Sequence, residues 1–167
     1  GYEASHAVAD AANLFPFLVT GTRARLAQQD VAGAQEWADL VGADLTARGI
    51  PGTLPAVDHA AGLLRLAAGR TGQARDLLRA AHAAWSARRR WWEAQWCALD
   101  LARCAVASNR RTEASTLVEE VRAAASAVAA KPLLDAAGGI GARLDRHDAA
   151  QAWSPLTLRE FEVARLV

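Results

Sequence analysis

Residues 71–86, TGQARDLLRAAHAAWS, place apolar side chains three and four positions apart. That spacing puts them on one stripe of an α-helix, the pattern of a helix that packs on a core. Similar segments lie forty residues before and forty residues after, so that Ala34, Ala74 and Ala114 are equivalent. The sequence therefore predicts an all-α fold of repeated amphipathic helices. The apolar positions are Ala34, Trp37, Ala38, Val41 and Leu45; Ala74, Leu77, Leu78, Ala81 and Trp85; and Ala114, Leu117, Val118, Val121 and Ala125.

A second helix-like run precedes each of these segments, which predicts helical hairpins. The turns inside the hairpins contain Gly69 and Asn109, residue types that tolerate the left-handed conformation at a helix end. Side chains that can cap the following helix come next, and the predicted N-caps are Asp30, Thr71 and Thr112. Between the second and third hairpins only Arg88-Arg89-Arg90 is available to form the turn.

Hairpins repeated at a fixed period are typical of solenoid proteins. The period of forty exceeds the roughly 34 residues of standard tetratricopeptide repeats, so the prediction is a tetratricopeptide-like α-solenoid. A helix over about Glu3 to Leu14 is expected to end before Pro16, because proline disrupts a helix interior. Another helix is predicted over Pro132 to Leu144. The helical-repeat domain is accordingly assigned to residues 1–144, and residues 145–155, which show no helical period, to a linker.

The last twelve residues, 156–167, have the sequence LTLREFEVARLV and carry the signature of a helix start. Thr157 is followed three positions later by Glu160, the capping box that satisfies two backbone amides at a helix N-terminus. Phe161, Val163 and Leu166 then recur at helical spacing. No C-cap follows, so we expect residues 1–167 to be a fragment and residues 156–167 to begin a further domain.

This segment resembles the opening helix of the DNA-binding domain of LuxR-type transcription regulators. Phe161 and Ala164 depart from the commonest form, but neither removes a cap or a core position. The family reads DNA with a later helix of a helix-turn-helix, which this sequence does not contain, so the resemblance implies that DNA is bound only through a missing downstream domain. The matching residues are Thr157, Arg159, Glu160, Glu162, Val163 and Leu166.

Large regulators of the MalT-like LuxR class carry tetratricopeptide-like repeats directly before the DNA-binding domain, usually with an ATPase module upstream. The same order occurs here, which implies the regulatory region of a bacterial, cytoplasmic transcription regulator. A GC-rich bacterial genome also fits the alanine-rich composition, in which only Lys131 is a lysine among 19 basic residues. No G-x-x-x-x-G-K-[ST] phosphate loop occurs, so an ATPase would lie outside this chain.

A group of tryptophans and arginines, here called the Trp/Arg patch, is the best candidate for a binding site. Arginine binds carboxylates and phosphates in bidentate fashion, and indole rings stack on arginine or on flat ligands. The expected partners are therefore a protein or acidic peptide, or a small anionic effector. Alternatively, the tryptophans belong to the core and the arginines form a solvated turn. The patch comprises Trp85, Arg88, Arg89, Arg90, Trp91, Trp92 and Trp96.

Residues that could support catalysis or metal binding are scattered. His6, His59, His82 and His147 form no short metal-ligand spacing with one another or with cysteine. Asp58-His59 is interpreted as a helix start, with the aspartate as a cap. No nucleophile-elbow pattern is present. We therefore expect no enzyme, no metal site and no cofactor in this chain.

Cys97 and Cys104 lie seven positions apart on one predicted helix, about 10.5 Å along its axis. A disulfide cannot span that distance, so both are expected to be buried free thiols in a reduced cytoplasm. No apolar run is long enough to cross a membrane, and no signal segment opens the chain. The formal net charge of +1 gives no general attraction to polyanions.

Three functions remain open at this point. The first is an effector-sensing or partner-binding helical domain that regulates a downstream LuxR-type DNA-binding domain. The second is a stand-alone protein-interaction module. The third is a small-molecule-binding helical domain whose pocket is lined by the tryptophans. Self-association as a homodimer is compatible with the first two.

Overall fold

The computed structural model describes Glu3 and residues 11–152. Over these residues the fold is all-α, and no strand occurs in the described part. Each helix packs on the next along the chain, α1 also packs on α3, and α5 on α7. The helices of residues 11–152 are α1 (Ala11–Ala27), α2 (Val31–Arg48), α3 (Pro55–Ala67), α4 (Thr71–Ala87), α5 (Trp91–Ala107), α6 (Arg111–Ala127) and α7 (Lys131–Ala152).

A residue in the left-handed conformation stands in each turn between helices, at every twentieth position. Most of these turns are three residues long; the α2–α3 connection, which contains Pro51, is longer. Three-residue turns reverse the chain, so consecutive helices lie side by side. Gly69 and Asn109 adopt this conformation as predicted, and so does Arg89 in the arginine turn. The full set is Gln29, Gly49, Gly69, Arg89, Asn109 and Ala129.

The predicted N-caps are correct for one helix and wrong for three. Asp58 lies inside the first turn of α3, whose N-cap is Leu54. Asp30 caps α2, and its Oδ1 accepts a hydrogen bond from the Gly33 amide at 2.9 Å. Thr71, however, is the first residue inside α4, and Thr112 is the second residue inside α6. The left-handed residue lies two positions before each helix, so the chain enters the helix earlier than the threonines. Arg70 and Arg110 occupy those cap positions without a side-chain cap bond.

Both predicted helix ends near the termini are also wrong. Pro16 does not end a helix, because α1 runs through it from Ala11 to Ala27. Phe15 and Leu18 are buried on either side of this proline, and their packing holds the helix despite the lost backbone hydrogen bond. The last described helix does not end at Leu144 but continues to Ala152, so residues 145–152 are helical. Residues 153–167, with the rest of the predicted linker and the LuxR-like segment, lie outside the described residues.

Helix α5 belongs to both hydrophobic clusters of the described fold. One cluster is formed by residues from each of the first five helices, α1 through α5, and contains Leu18, Leu45 and Trp85. The other joins α5 to α7 and contains Leu99 and Leu133. Ala34, Ala74 and Ala114, each the fourth residue of its helix, are fully buried. The alanines let neighbouring helices approach closely, and α5 connects the two halves of the core.

The left-handed alanine at the α6–α7 turn predicts a stabilising substitution. Ala129 has φ of +53°, a conformation that costs an L-residue about 1 kcal/mol and that glycine adopts freely. Ala129→Gly is expected to raise the free energy of unfolding by about 1 kcal/mol, measured by urea denaturation. Ala123→Gly, at an exposed position inside α6, is the matched control and should lower it by about 1 kcal/mol. Destabilisation by Ala129→Gly would contradict this interpretation of the turn.

Candidate ligand-binding site

A cavity of about 370 Å³ lies between α1 and α5, with α3 and α4 behind it. The backbones of α1 and α5, both fully within the described part of the chain, make no close contact, so side chains alone span the gap. Cavities of this size are typical of small-molecule sites, which also combine apolar walls with a few polar groups. This cavity, here called the α1–α5 cavity, has that composition.

The walls of the α1–α5 cavity are mainly aromatic. Phe15 of α1 and Trp85 of α4 pack against each other with ring centroids 5.5 Å apart and an interplanar angle of 38°. On α5, Trp92 and Trp96 meet edge to face, with centroids 6.1 Å apart. Trp92 remains 43% exposed, which places it where solvent reaches the cavity, whereas Trp85 is fully buried. The cavity therefore offers aromatic surface to a ligand.

A buried carboxylate holds the polar side of the cavity together. Asp100 of α5 is only 1% exposed. Its Oδ2 accepts hydrogen bonds from Arg23 Nη2 of α1 at 2.5 Å and from His59 Nε2 of α3 at 2.8 Å. Its Oδ1 accepts from Arg103 Nη1, one helical turn along α5, at 2.5 Å. Three helices are thus connected through one side chain.

The charge state of Asp100 follows from these partners. Burial by itself raises the pKa of this carboxyl group. The Arg23 guanidinium, the His59 hydrogen bond and Arg103 lower the pKa by more than burial raises it. The net result is a pKa well below the ordinary value, so Asp100 is ionised at neutral pH. Arg23 and His59, which both line the cavity, are therefore each hydrogen-bonded to the ionised Asp100 carboxylate.

Two donors in residues that line the cavity have no hydrogen-bond partner among the described residues. One is Trp85 Nε1, on a side chain with no exposed surface. The other is Arg23 Nε, whose guanidinium also lies over the Trp96 ring, 4.9 Å from its centroid. A buried donor without an acceptor costs about 1–3 kcal/mol, so such atoms in a native protein require an explanation.

The structure divides the Trp/Arg patch predicted from the sequence. Trp85, Trp92 and Trp96 line the cavity, whereas Trp91 is 38% exposed and does not. The arginines form the turn before α5 and are exposed. Arg88 Nη1 donates to the Ala84 carbonyl oxygen of its own helix at 3.0 Å. The guanidinium of Arg90 lies over the Phe15 ring at 4.9 Å. The arginines and tryptophans therefore do not converge on one ligand site.

Of the residues that line the cavity, sequence reasoning found only the three tryptophans, and it missed the polar group formed by Arg23, His59 and Asp100. His59 was interpreted as part of a helix start, but it is buried and bonded to Asp100 across 41 residues of sequence. One signal was available, since Asp100 interrupts an otherwise apolar run of α5, and a carboxylate there needs a partner. The sequence around Arg23 has no feature that distinguishes this arginine from the others.

The two cysteines are buried and form no disulfide. Cys97 Sγ donates a hydrogen bond to the Leu78 carbonyl oxygen, and Cys104 Sγ to the Thr71 carbonyl oxygen, both at 3.2 Å. Burial raises the pKa of both thiols above the ordinary value. Within residues 11–152, no group of three or more histidine, cysteine or acidic side chains is placed to hold a metal ion. No helix in the described part has the length and apolarity needed to cross a membrane.

Comparison with models of protein families, with curated proteins and with solved structures finds no match to this chain. The LuxR-type resemblance stays a prediction from residues 156–167. The case for function therefore rests on the α1–α5 cavity and on the order of the sequence segments.

Removing the charge of Asp100 is expected to destabilise the fold. Asp100→Asn leaves Arg23 and His59 without their anion and should lower the free energy of unfolding by about 3 kcal/mol in urea denaturation at pH 7. Asp135→Asn, which disrupts an exposed pair with Lys131, is the control and should cost about 0.5 kcal/mol or less. Equal effects of the two substitutions would contradict the role of the buried carboxylate.

The same carboxyl group predicts a pH dependence. Because the pKa of Asp100 is lower in the folded state than in the unfolded chain, its stabilisation is present above the unfolded pKa of about 3.9. It is lost as pH falls below that value toward the folded pKa. Urea midpoints measured from pH 7 to pH 3 should therefore fall more steeply for the wild type than for Asp100→Asn. Parallel curves would show that Asp100 does not titrate as described.

Buried, hydrogen-bonded thiols should resist modification. Neither Cys97 nor Cys104 is expected to react with Ellman's reagent at pH 8 in the native protein, and both should react in denaturant. Ser126→Cys supplies an exposed thiol on α6 as a positive control. Rapid reaction of a native cysteine would mean that α5 opens readily.

Proposed function

We propose that this chain is the effector-sensing helical-repeat domain of a bacterial DNA-binding transcription regulator of the LuxR type. The observation that carries the proposal is the α1–α5 cavity, with aromatic walls and a fully buried Trp85 whose indole N–H has no partner among the described residues. The LuxR-like order of residues 156–167 supplies the regulatory context. We also propose that the hairpins belong to the tetratricopeptide-like α-solenoids, a class that the regularly spaced left-handed turns support.

The arrangement of α5 supports a route from ligand to DNA-binding domain. A ligand in the cavity contacts α1 and α5, which only side chains connect at this point. Helix α5 also packs in the second cluster with α6 and α7. A change in the position of α5 therefore reaches α7, the helix that leads towards residues 153–167. In the proposed mechanism, ligand binding changes how α7 presents the downstream domain or how two copies associate.

One observation favours a second candidate, the protein-interaction module. Trp91 is partly exposed next to the exposed arginine turn, with Trp92 beside it at a ring-centroid distance of 6.2 Å. An acidic peptide would contact arginine and indole on this surface. Such a peptide would bind outside the α1–α5 cavity, so the two candidates are separable by substitution at Trp91.

The experiment for the proposed function combines a ligand screen with DNA binding. Residues 1–167 are screened against a broad set of small metabolites by thermal shift, and hits are titrated into the wild type and into Val19→Trp, which fills the cavity from α1. A second step measures DNA binding of the full-length natural protein across a salt series, with and without the hit. Residues 1–167 alone are not expected to bind DNA.

The expected result is a ligand that changes the DNA affinity of the full-length protein. The Val19→Trp substitution should abolish the binding of this ligand. Trp91→Ala is the matched control and should leave ligand binding unchanged. If no ligand is found and the full-length protein does not bind DNA, the regulator proposal is wrong. If an acidic peptide binds instead and Trp91→Ala abolishes that binding, the interaction module replaces it.

A further inference from the structure

The unpaired donors of the α1–α5 cavity indicate the chemistry of its ligand. Trp85 has no exposed surface, and no atom of the described residues accepts a hydrogen bond from its indole N–H. Arg23 Nε, also in a residue that lines the cavity, has none either. An acceptor atom on a bound molecule would remove the cost of an unpaired donor.

The shape of the cavity favours a planar molecule. The rings of Phe15, Trp92 and Trp96 border a space of about 370 Å³, enough for one or two fused rings. Aromatic pairs prefer offset or edge-to-face contacts, and the rings of this cavity already meet at 38° and 73°. A flat ring system can therefore stack on one wall while its edge meets another.

The charge balance disfavours an anion, contrary to the sequence-based expectation of an anionic effector. Arg23 and Arg103 each form an ion pair with the same carboxylate, Asp100. Glu93 adds a second carboxylate to the cavity wall. The exposed arginine turn that suggested anion binding does not line this cavity. The cavity therefore holds no excess positive charge to compensate a buried carboxylate or phosphate.

We infer that the α1–α5 cavity binds an uncharged, planar, ring-bearing small molecule whose acceptor oxygen receives a hydrogen bond from Trp85 Nε1, an atom that the ligand reaches by displacing neighbouring side chains. This inference rests on the sensing role proposed above and specifies the class of effector. The hydrogen bond from Trp85 would orient the ligand in the cavity.

Three probes with the same fused-ring system separate the contribution of the hydrogen-bond acceptor from the effect of ligand charge. Naphthalene has no acceptor, 2-acetylnaphthalene has a neutral carbonyl acceptor, and 2-naphthoate has an anionic one. Isothermal titration of residues 1–167 should give an affinity for 2-acetylnaphthalene about 5-fold higher than for naphthalene, the gain from one neutral hydrogen bond. The affinity for 2-naphthoate should be lower than that for 2-acetylnaphthalene.

A substitution at the donor tests the assigned atom. Trp85→Phe keeps an aromatic wall but removes the indole N–H, so it should abolish the preference for 2-acetylnaphthalene over naphthalene. Trp37→Phe is the matched control, because the Trp37 indole donates to the Phe17 carbonyl oxygen at 3.1 Å and does not line the cavity. The control should retain the preference.

A spectroscopic measurement on the wild type keeps the test valid if Trp85→Phe does not fold. The chain has six tryptophans. Their indole N–H signals would be assigned in ¹H–¹⁵N correlation spectra by substituting each tryptophan in turn. Addition of 2-acetylnaphthalene should move the Trp85 signal downfield, as expected for a new hydrogen bond, whereas naphthalene should not.

The outcomes distinguish this inference from the proposed function. Equal affinities for naphthalene and 2-acetylnaphthalene, with no downfield shift at Trp85, overturn the assigned hydrogen bond but leave the cavity as a sensing site. Tightest binding of 2-naphthoate overturns the assignment of an uncharged ligand. The metabolite screen can also yield a ligand whose binding is lost in Val19→Trp although none of the three probes binds. In that case the inferred ligand class is wrong and the sensing role stands. If neither the probes nor the screen gives a ligand, both proposals fail.

Discussion

The buried carboxylate of Asp100 is the interaction on which the candidate site depends. It lies on α5, accepts hydrogen bonds from Arg23 of α1 and His59 of α3, and pairs with Arg103 on its own helix. An unpaired charge at this depth would be strongly unfavourable, so the partners must stay in place for the fold to keep it. Because the backbones of α1 and α5 do not meet, this side-chain network fixes the width of the cavity between them. It also explains how aromatic rings on α1, α4 and α5 are held around an open space.

Helix α5 has a second role that follows from its position. It contributes buried residues to the cluster under the cavity and to the cluster formed with α6 and α7. Packed cores respond to a displaced helix by shifting their neighbours rather than by deforming gradually. A ligand that changes the separation of α1 and α5 therefore acts on both clusters at once. Most of the turns are three residues long, which leaves little loop length to absorb such a displacement.

Much of the secondary structure could be predicted from the sequence, because amphipathic spacing is a local property. The stripes around Ala34, Ala74 and Ala114 correctly indicated all-α structure over the described residues. The errors came where tertiary packing overrides local preference: Pro16 lies inside a helix held by buried neighbours, and residues 145–152 are helical without a clear apolar period. Of the site, the tryptophans were predicted, whereas Arg23 and His59 were missed because their partner is distant in sequence. The arginine turn suggested an anion site, and only the three-dimensional arrangement separates it from the cavity.

The most direct test of the cavity as a ligand site is the observation of nuclear Overhauser effects between bound 2-acetylnaphthalene and the protein. The predicted result is contacts from the ligand ring protons to Phe15, Trp92 and Trp96, which lie on both sides of the gap between α1 and α5. Contacts confined to Trp91, or an absence of contacts to α1, would contradict the assignment and place any ligand on the outer surface of α5.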